Sequence, residues 1–118
     1  MDATAVVDAY VAAWNERDDE RRAALLAESF SQEGTYRDPL FAVSGRSALA
    51  DHIAGFQERF AGTSMTRRSG VDGYQDVCRF AWAVVNEDES VALHGVDIVS
   101  LDEVGKIRSV TGFFGPLE

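Results

Sequence analysis

Hydrophobic residues change their spacing once along this chain, near Thr63, and that change limits the folds open to it. Before it, apolar side chains recur every three to four residues, as on the buried stripe of a helix. After it they recur every second residue, as on one face of a strand. Helices first and strands afterwards, rather than the two in alternation, point to an α+β fold with helices packed on an antiparallel sheet. The 118 residues read as one domain, 1–118, with no repeat, linker or low-complexity tract to divide it.

Three helices are expected in the first half. Val7, Tyr10, Val11 and Trp14 form a stripe over Thr4–Asn15, so Tyr10 points inward, where its hydroxyl needs a partner or a polar cavity. Asp18 and Asp19 can cap a second helix that runs to about Ser29, with Leu26 and Phe30 on its inner face. Gln32-Glu33-Gly34 reads as a turn into a strand carrying Tyr36 and Asp38, and Leu40 to Val43 as a short hairpin-like segment. The third helix begins near Ser47, turns Leu49, Ile53, Phe56 and Phe60 inward, and meets Gly62, a residue suited to ending it. His52, at the edge of that stripe, reads as a packed or rim residue.

Four long strands are expected after the change of period, roughly Ser64–Tyr74, Asp76–Asn86, Val91–Leu101 and Lys106–Phe114. Polar turns at Glu87-Asp88-Glu89 and Asp102-Glu103-Val104-Gly105 make them a meander. Cys78, Phe80, Trp82 and Val84 share one face; Val91, Leu93, Val99 and Leu101 share one with Asp97. The opposite faces, with Ala81, Ala83, Val85, Ala92, Val96 and Ile98, are also largely apolar. Helices in so short a chain can shield only one side of the sheet, so a second copy is expected on the other, as a homodimer.

Charge narrows the partners. With 20 acidic and 11 basic residues the net charge is −9, which argues against nucleic acid and against anionic membrane surfaces. An acidic residue follows Met1, and no apolar stretch is long enough to span a bilayer, so a cytoplasmic protein is expected. Cys78 is the one cysteine and reads as a small buried thiol. His52 and His94 fall on different elements with no second cysteine, so no metal-ligand spacing is present; no metal and no other cofactor is expected.

Two carboxylates stand out. Tyr36 and Asp38 share a strand face, and Pro39 stops the strand and keeps Asp38 extended. Asp38 is thus either turn punctuation with a solvated acid or a base held at a rigid strand end. Asp97, on an apolar face two residues from Val99, would lose hydration and resist ionising, unless the strand is shifted so that it faces solvent.

Tyr10-Val11-Ala12-Ala13-Trp14-Asn15, Thr35-Tyr36-Arg37-Asp38-Pro39, Gly45, and Asp97 through Gly105-Lys106 to Phe113-Phe114-Gly115 together resemble the NTF2-like superfamily. Within it the chain is similar to the SnoaL-like and ketosteroid isomerase branches. The resemblance implies a cone: three N-terminal helices on a curved, mostly antiparallel sheet enclosing a pocket. It further implies an enzyme that removes a proton next to the carbonyl of a small apolar molecule, with Asp38 as base and Tyr10 and a protonated Asp97 as donors to the enolate oxygen. Trp14, Phe56, Phe80, Trp82 and Phe114 would line the pocket. The segment between Tyr10 and Asp38 is longer than a ketosteroid isomerase's by about one helical turn, which favours the SnoaL-like branch. Phe30 and Ile53 stand where active-site tyrosines are common. The same cone hosts polyketide cyclases, epoxide hydrolases and non-catalytic binding or dimerisation modules, which are the alternatives.

Overall fold

The computed structural model describes residues 2–115. Two of its three helices begin at aspartates whose side chains cap them: Asp2 accepts from the Ala5 amide (2.8 Å) at α1 (Ala3–Asn15), and Asp18 from the Arg21 amide (2.9 Å) at α2 (Asp19–Ser29). These bonds satisfy amides that the first turn of a helix leaves free. The third, α3 (Arg46–Arg59), starts at Gly45 and is followed by Gly62, both with positive φ. Val7, Tyr10, Trp14, Leu26, Leu49 and Ile53 are buried, as their helical spacing predicts.

Among the described residues seven strands form one sheet: β1 (Phe30–Arg37), β2 (Ala42–Ser44), β3 (Ser64–Arg67), β4 (Asp72–Tyr74), β5 (Val77–Val85), β6 (Val91–Leu101) and β7 (Ile107–Phe114). The order is β2-β1-β7-β6-β5-β3, with β4 beside β3 on β5; every pair is antiparallel except β1 with β7. Cys78, Phe80, Trp82 and Val84 all face inward and are buried against the helices. On β6 the inner row holds Asp97 and Val99, while Val91 at its start is exposed.

Two expectations are corrected. The first expected strand is two, because four residues, Arg68 to Val71, stand opposite only Phe80 and Ala81 on β5. The bulge is held by Arg68 N–H donating to Ala81 O (2.7 Å) and Ala81 N–H donating to Ser69 Oγ (2.8 Å). Gln32-Glu33-Gly34 is not a turn: β1 runs straight through it, and its register against β7 shifts between Phe30 and Thr35. Gly34 is required there for a different reason, since a Cβ would sit 2.5 Å from the Phe30 ring. A residue that composition assigns to a turn instead allows a ring to fold back over its own strand.

Candidate active site

The sheet register brings the two acids together. Arg37 pairs with Thr111 across β1–β7, so Asp38, the next residue, comes level with Gly112, and Gly112 pairs with Asp97 across β7–β6. Residues level with one another in a sheet point to the same side. Glycine at the middle of this row leaves room for both carboxyls: a Cβ on Gly112 would lie 3.0 Å from Asp97 Oδ1 and 3.5 Å from Asp38 Cβ. Gly95 does the same for an indole, since a Cβ there would meet the Trp82 ring at 2.7 Å and the Phe113 carbonyl oxygen at 1.9 Å.

Asp38 is fixed from both ends. Its Oδ1 accepts from the Leu40 and Phe41 amides, each at 2.8 Å, and its own amide donates to Phe41 O (2.9 Å), so the turn around Pro39 orients the carboxyl. Tyr36, two residues back on the same face, donates its hydroxyl to Asp38 Oδ2 at 2.6 Å. Asp38 is therefore turn residue and cavity acid at once.

Asp97 is 5% exposed. Burial pushes its carboxyl up to about 7, the neighbouring Asp38 adds to the rise, and a hydrogen bond from Trp82 Nε1 to Oδ1 (2.9 Å) opposes it. Near neutral pH a substantial part of Asp97 is protonated and able to donate.

Both acids line one largely apolar cavity of about 310 Å³ between helices and sheet. Trp14, Phe56, Trp82 and Phe114 line it as expected from the sequence. Phe80 and Tyr10 do not, and are placed instead in the core, where both are fully buried. The reason is one of position along the cone. The cavity opens over Trp82, Val84, Leu93 and Phe114, while the rows around Cys78, Val99 and Val110 are filled by the helices. Phe80 on β5 and Tyr10, one turn before Trp14 on α1, lie on the filled side of that boundary. Tyr10 stacks on Phe30 with ring centroids 6.2 Å apart, and its hydroxyl has no hydrogen-bond partner among the described residues. Burial, then the Asp97 charge, holds that phenol well above its ordinary range.

Three cavity residues had no role in the sequence reading. Tyr36 carries the hydroxyl that reaches Asp38. His52 lines the wall, its ring centroid 5.4 Å from that of Tyr36 and 4.9 Å from that of Phe41. Burial, against the Asp38 charge, pulls its imidazole below the usual value and so favours the neutral ring. Arg59, an exposed residue at the end of α3, lines the cavity at its rim. The signal for the last two was present in the helical period, since His52, Phe56 and Arg59 fall at i, i+4 and i+7 on one stripe of α3. Among the described residues no three His, Cys, Asp or Glu side chains gather as a metal site would require, and no helix is long and apolar enough to cross a membrane.

With this geometry in view, the model of the SnoaL-like domain family matches residues 7–110. The chain belongs to the SnoaL-like family. A crystal structure of a supposed isomerase of the SnoaL-like family from Agrobacterium tumefaciens str. C58 is 32% identical, with 98% of this chain and 100% of that chain covered and a TM-score of 0.91. An NTF2-like protein of unknown function from Exiguobacterium sp. 255-15 is similar at 23% identity, over 95% and 99% of the two chains, with a TM-score of 0.75. A protein of unknown function with a cystatin-like fold from Methylobium petroleophilum PM1 reaches 19% identity over 98% and 77%, at a TM-score of 0.78. At those identities the last two speak to the fold, which is NTF2-like. None of the curated protein sequences matches this SnoaL-like chain.

Proposed function

We propose that this SnoaL-like protein is an isomerase-type enzyme that removes a proton from the carbon next to the carbonyl of a small, flat, apolar substrate. The observation that carries the reading is the pair of acids across Gly112, one held by ordered donors and the other kept partly neutral, in one apolar cavity. An environment that drives two carboxyls apart in proton affinity suits one to accept a proton and the other to donate a hydrogen bond.

In the proposed cycle the carbonyl oxygen accepts from the Asp97 carboxyl as Asp38 takes the neighbouring carbon's proton. The electron pair moves onto oxygen as an enolate, stabilised by that donor in a water-poor site. Asp38, now neutral, returns its proton to the far carbon of the extended enolate and shifts the double bond. Tyr36 steers Oδ2 of Asp38 throughout. Tyr10, set behind the cavity wall, adds its unpaired hydroxyl to the surroundings of Asp97 rather than a direct contact to the substrate. The Agrobacterium relative's description as a supposed isomerase agrees with this chemistry.

The family match also supports a second reading, SnoaL-like ring closure of a polyketide, in which the same enolate attacks another carbonyl of its own chain. The test of the first is the ultraviolet absorbance rise as a β,γ-unsaturated cyclic ketone becomes conjugated. Wild type is expected to exceed buffer and Asp38→Asn to lose about a hundredfold or more. Equal rates in the two proteins would overturn the role of Asp38, and a ring-closed product from a polyketide analogue would favour the second reading.

A further inference from the structure

The proton-transfer reading leaves the cavity's charged entrance unused. Arg59 ends α3, and its side chain lies back over Phe41, with the guanidinium carbon 5.3 Å from the ring centroid. It is the one lysine or arginine among the described residues that line the cavity, and it makes no ion pair with any of them. A cation in the last turn also suits the helix dipole. That role needs only a charge at the helix end, and would leave the side chain free to extend into solvent rather than fold over a cavity residue.

We propose, building on the proton-transfer reading, that the substrate carries a carboxylate, which Arg59 binds at the cavity mouth while the apolar, carbonyl-bearing end reaches Asp97. A guanidinium presents two parallel N–H donors that match a carboxylate's two oxygens. An anionic group any deeper would meet the Asp38 charge, and burial, the largest influence on His52, disfavours the cationic imidazole that could offset it, against the pull of Asp38 and with Arg59 opposing as well. The negative group is therefore confined to the mouth, which sets the substrate's direction of entry. Between the two ends runs a wall of rings, Phe41, His52 and Tyr36, with successive centroids 4.9 and 5.4 Å apart and the Tyr36 hydroxyl on Asp38. A flat molecule of one or two rings can lie along it, and about 310 Å³ is at the small end of ligand-site volumes. A single guanidinium in a protein of net charge −9 balances one negative charge, so a carboxylate suits it better than a phosphate dianion.

The test measures binding without turnover. Naphthalene-2-acetate and its uncharged amide are titrated into wild type, Arg59→Gln and Arg59→Lys by calorimetry. The carboxylate is expected to bind wild type at least tenfold more tightly than the amide, and the preference to weaken with added salt. It should vanish in Arg59→Gln and return in part in Arg59→Lys, with all three proteins equally folded by circular dichroism. Equal affinity for acid and amide, or a preference that survives Arg59→Gln, would overturn the inference and leave the reading of Asp38 and Asp97 to its own absorbance assay. Failure of both compounds to bind would overturn it as well, by removing the apolar site on which it depends.

Discussion

An aspartate at a wet strand end loses its proton near pH 4. Asp97 has the same chemistry, but burial, helped by the Asp38 charge and opposed by the hydrogen bond from Trp82, moves its titration up to about 7. Stability must follow. The folded protein keeps a proton that the unfolded chain releases near 4, so the Asp97 contribution declines as pH rises from about 4 to about 7 and stays low above that. Asp97→Asn carries no such proton and can still accept from Trp82. The variant should match wild type near pH 4 and exceed it at pH 8 by on the order of 4 kcal/mol, seen as a higher urea midpoint. A difference that does not change with pH would mean that Asp97 is not held protonated. At this scale the sequence was readable where alternation alone decides the face, as for Asp38 and Asp97. It was less so for Tyr36 and His52, whose roles depend on what stands across the cavity, and it misplaced Phe80 and Tyr10, because periodicity separates inside from outside but not core from cavity.

At the scale of elements, glycines at two inner positions shape the site. Gly112 lets β7 pass beneath both acids, and Gly95 lets the Trp82 indole lie flat enough to reach Asp97. Gly112→Ala would crowd side-chain atoms that can shift by a few tenths of an ångström, costing about 1–3 kcal/mol. It should lower the catalytic rate as well, because the side-chain atoms that must give way belong to the two acids themselves, Asp97 Oδ1 and Asp38 Cβ. Gly95→Ala would place a methyl against the Phe113 carbonyl oxygen, where backbone would have to move, and should fail to fold. Thermal melts and turnover on the two variants check both statements; a fully active Gly112→Ala would show that the acids do not need their present spacing. The two misread elements err in opposite directions. Gly34 looks like a turn residue by composition, yet it makes room for the Phe30 ring within β1, whereas the Ser69-Gly70 pair, read as part of one long strand, sits in a bulge between two. Local sequence carries no mark of which neighbour will approach.

For the whole molecule, the change of period and the order of elements were enough to give an α+β sheet with helices on one side. The parallel pairing of β1 with β7, which aligns Asp38 with Asp97, joins the ends of the fold and has no local signature. The sheet's outer face, with Ala92 and His94 exposed and Val96 and Ile98 half-buried beside an exposed Phe113, is the surface on which we expect a second copy. Sedimentation should give a species of twice the 12.9 kDa chain mass, and a monomer at micromolar concentration would contradict that expectation. Removal of a proton by Asp38 from carbon beside a carbonyl, whatever product follows, can be followed by hydrogen–deuterium exchange at that carbon, read by NMR, in a bicyclic ketone with no double bond to move, comparing wild type, Asp38→Asn and Asp97→Asn. Exchange well above buffer is expected in wild type, with a loss of about a hundredfold or more in each variant. Exchange at the buffer rate in wild type, or undiminished in Asp38→Asn, would contradict that role of Asp38.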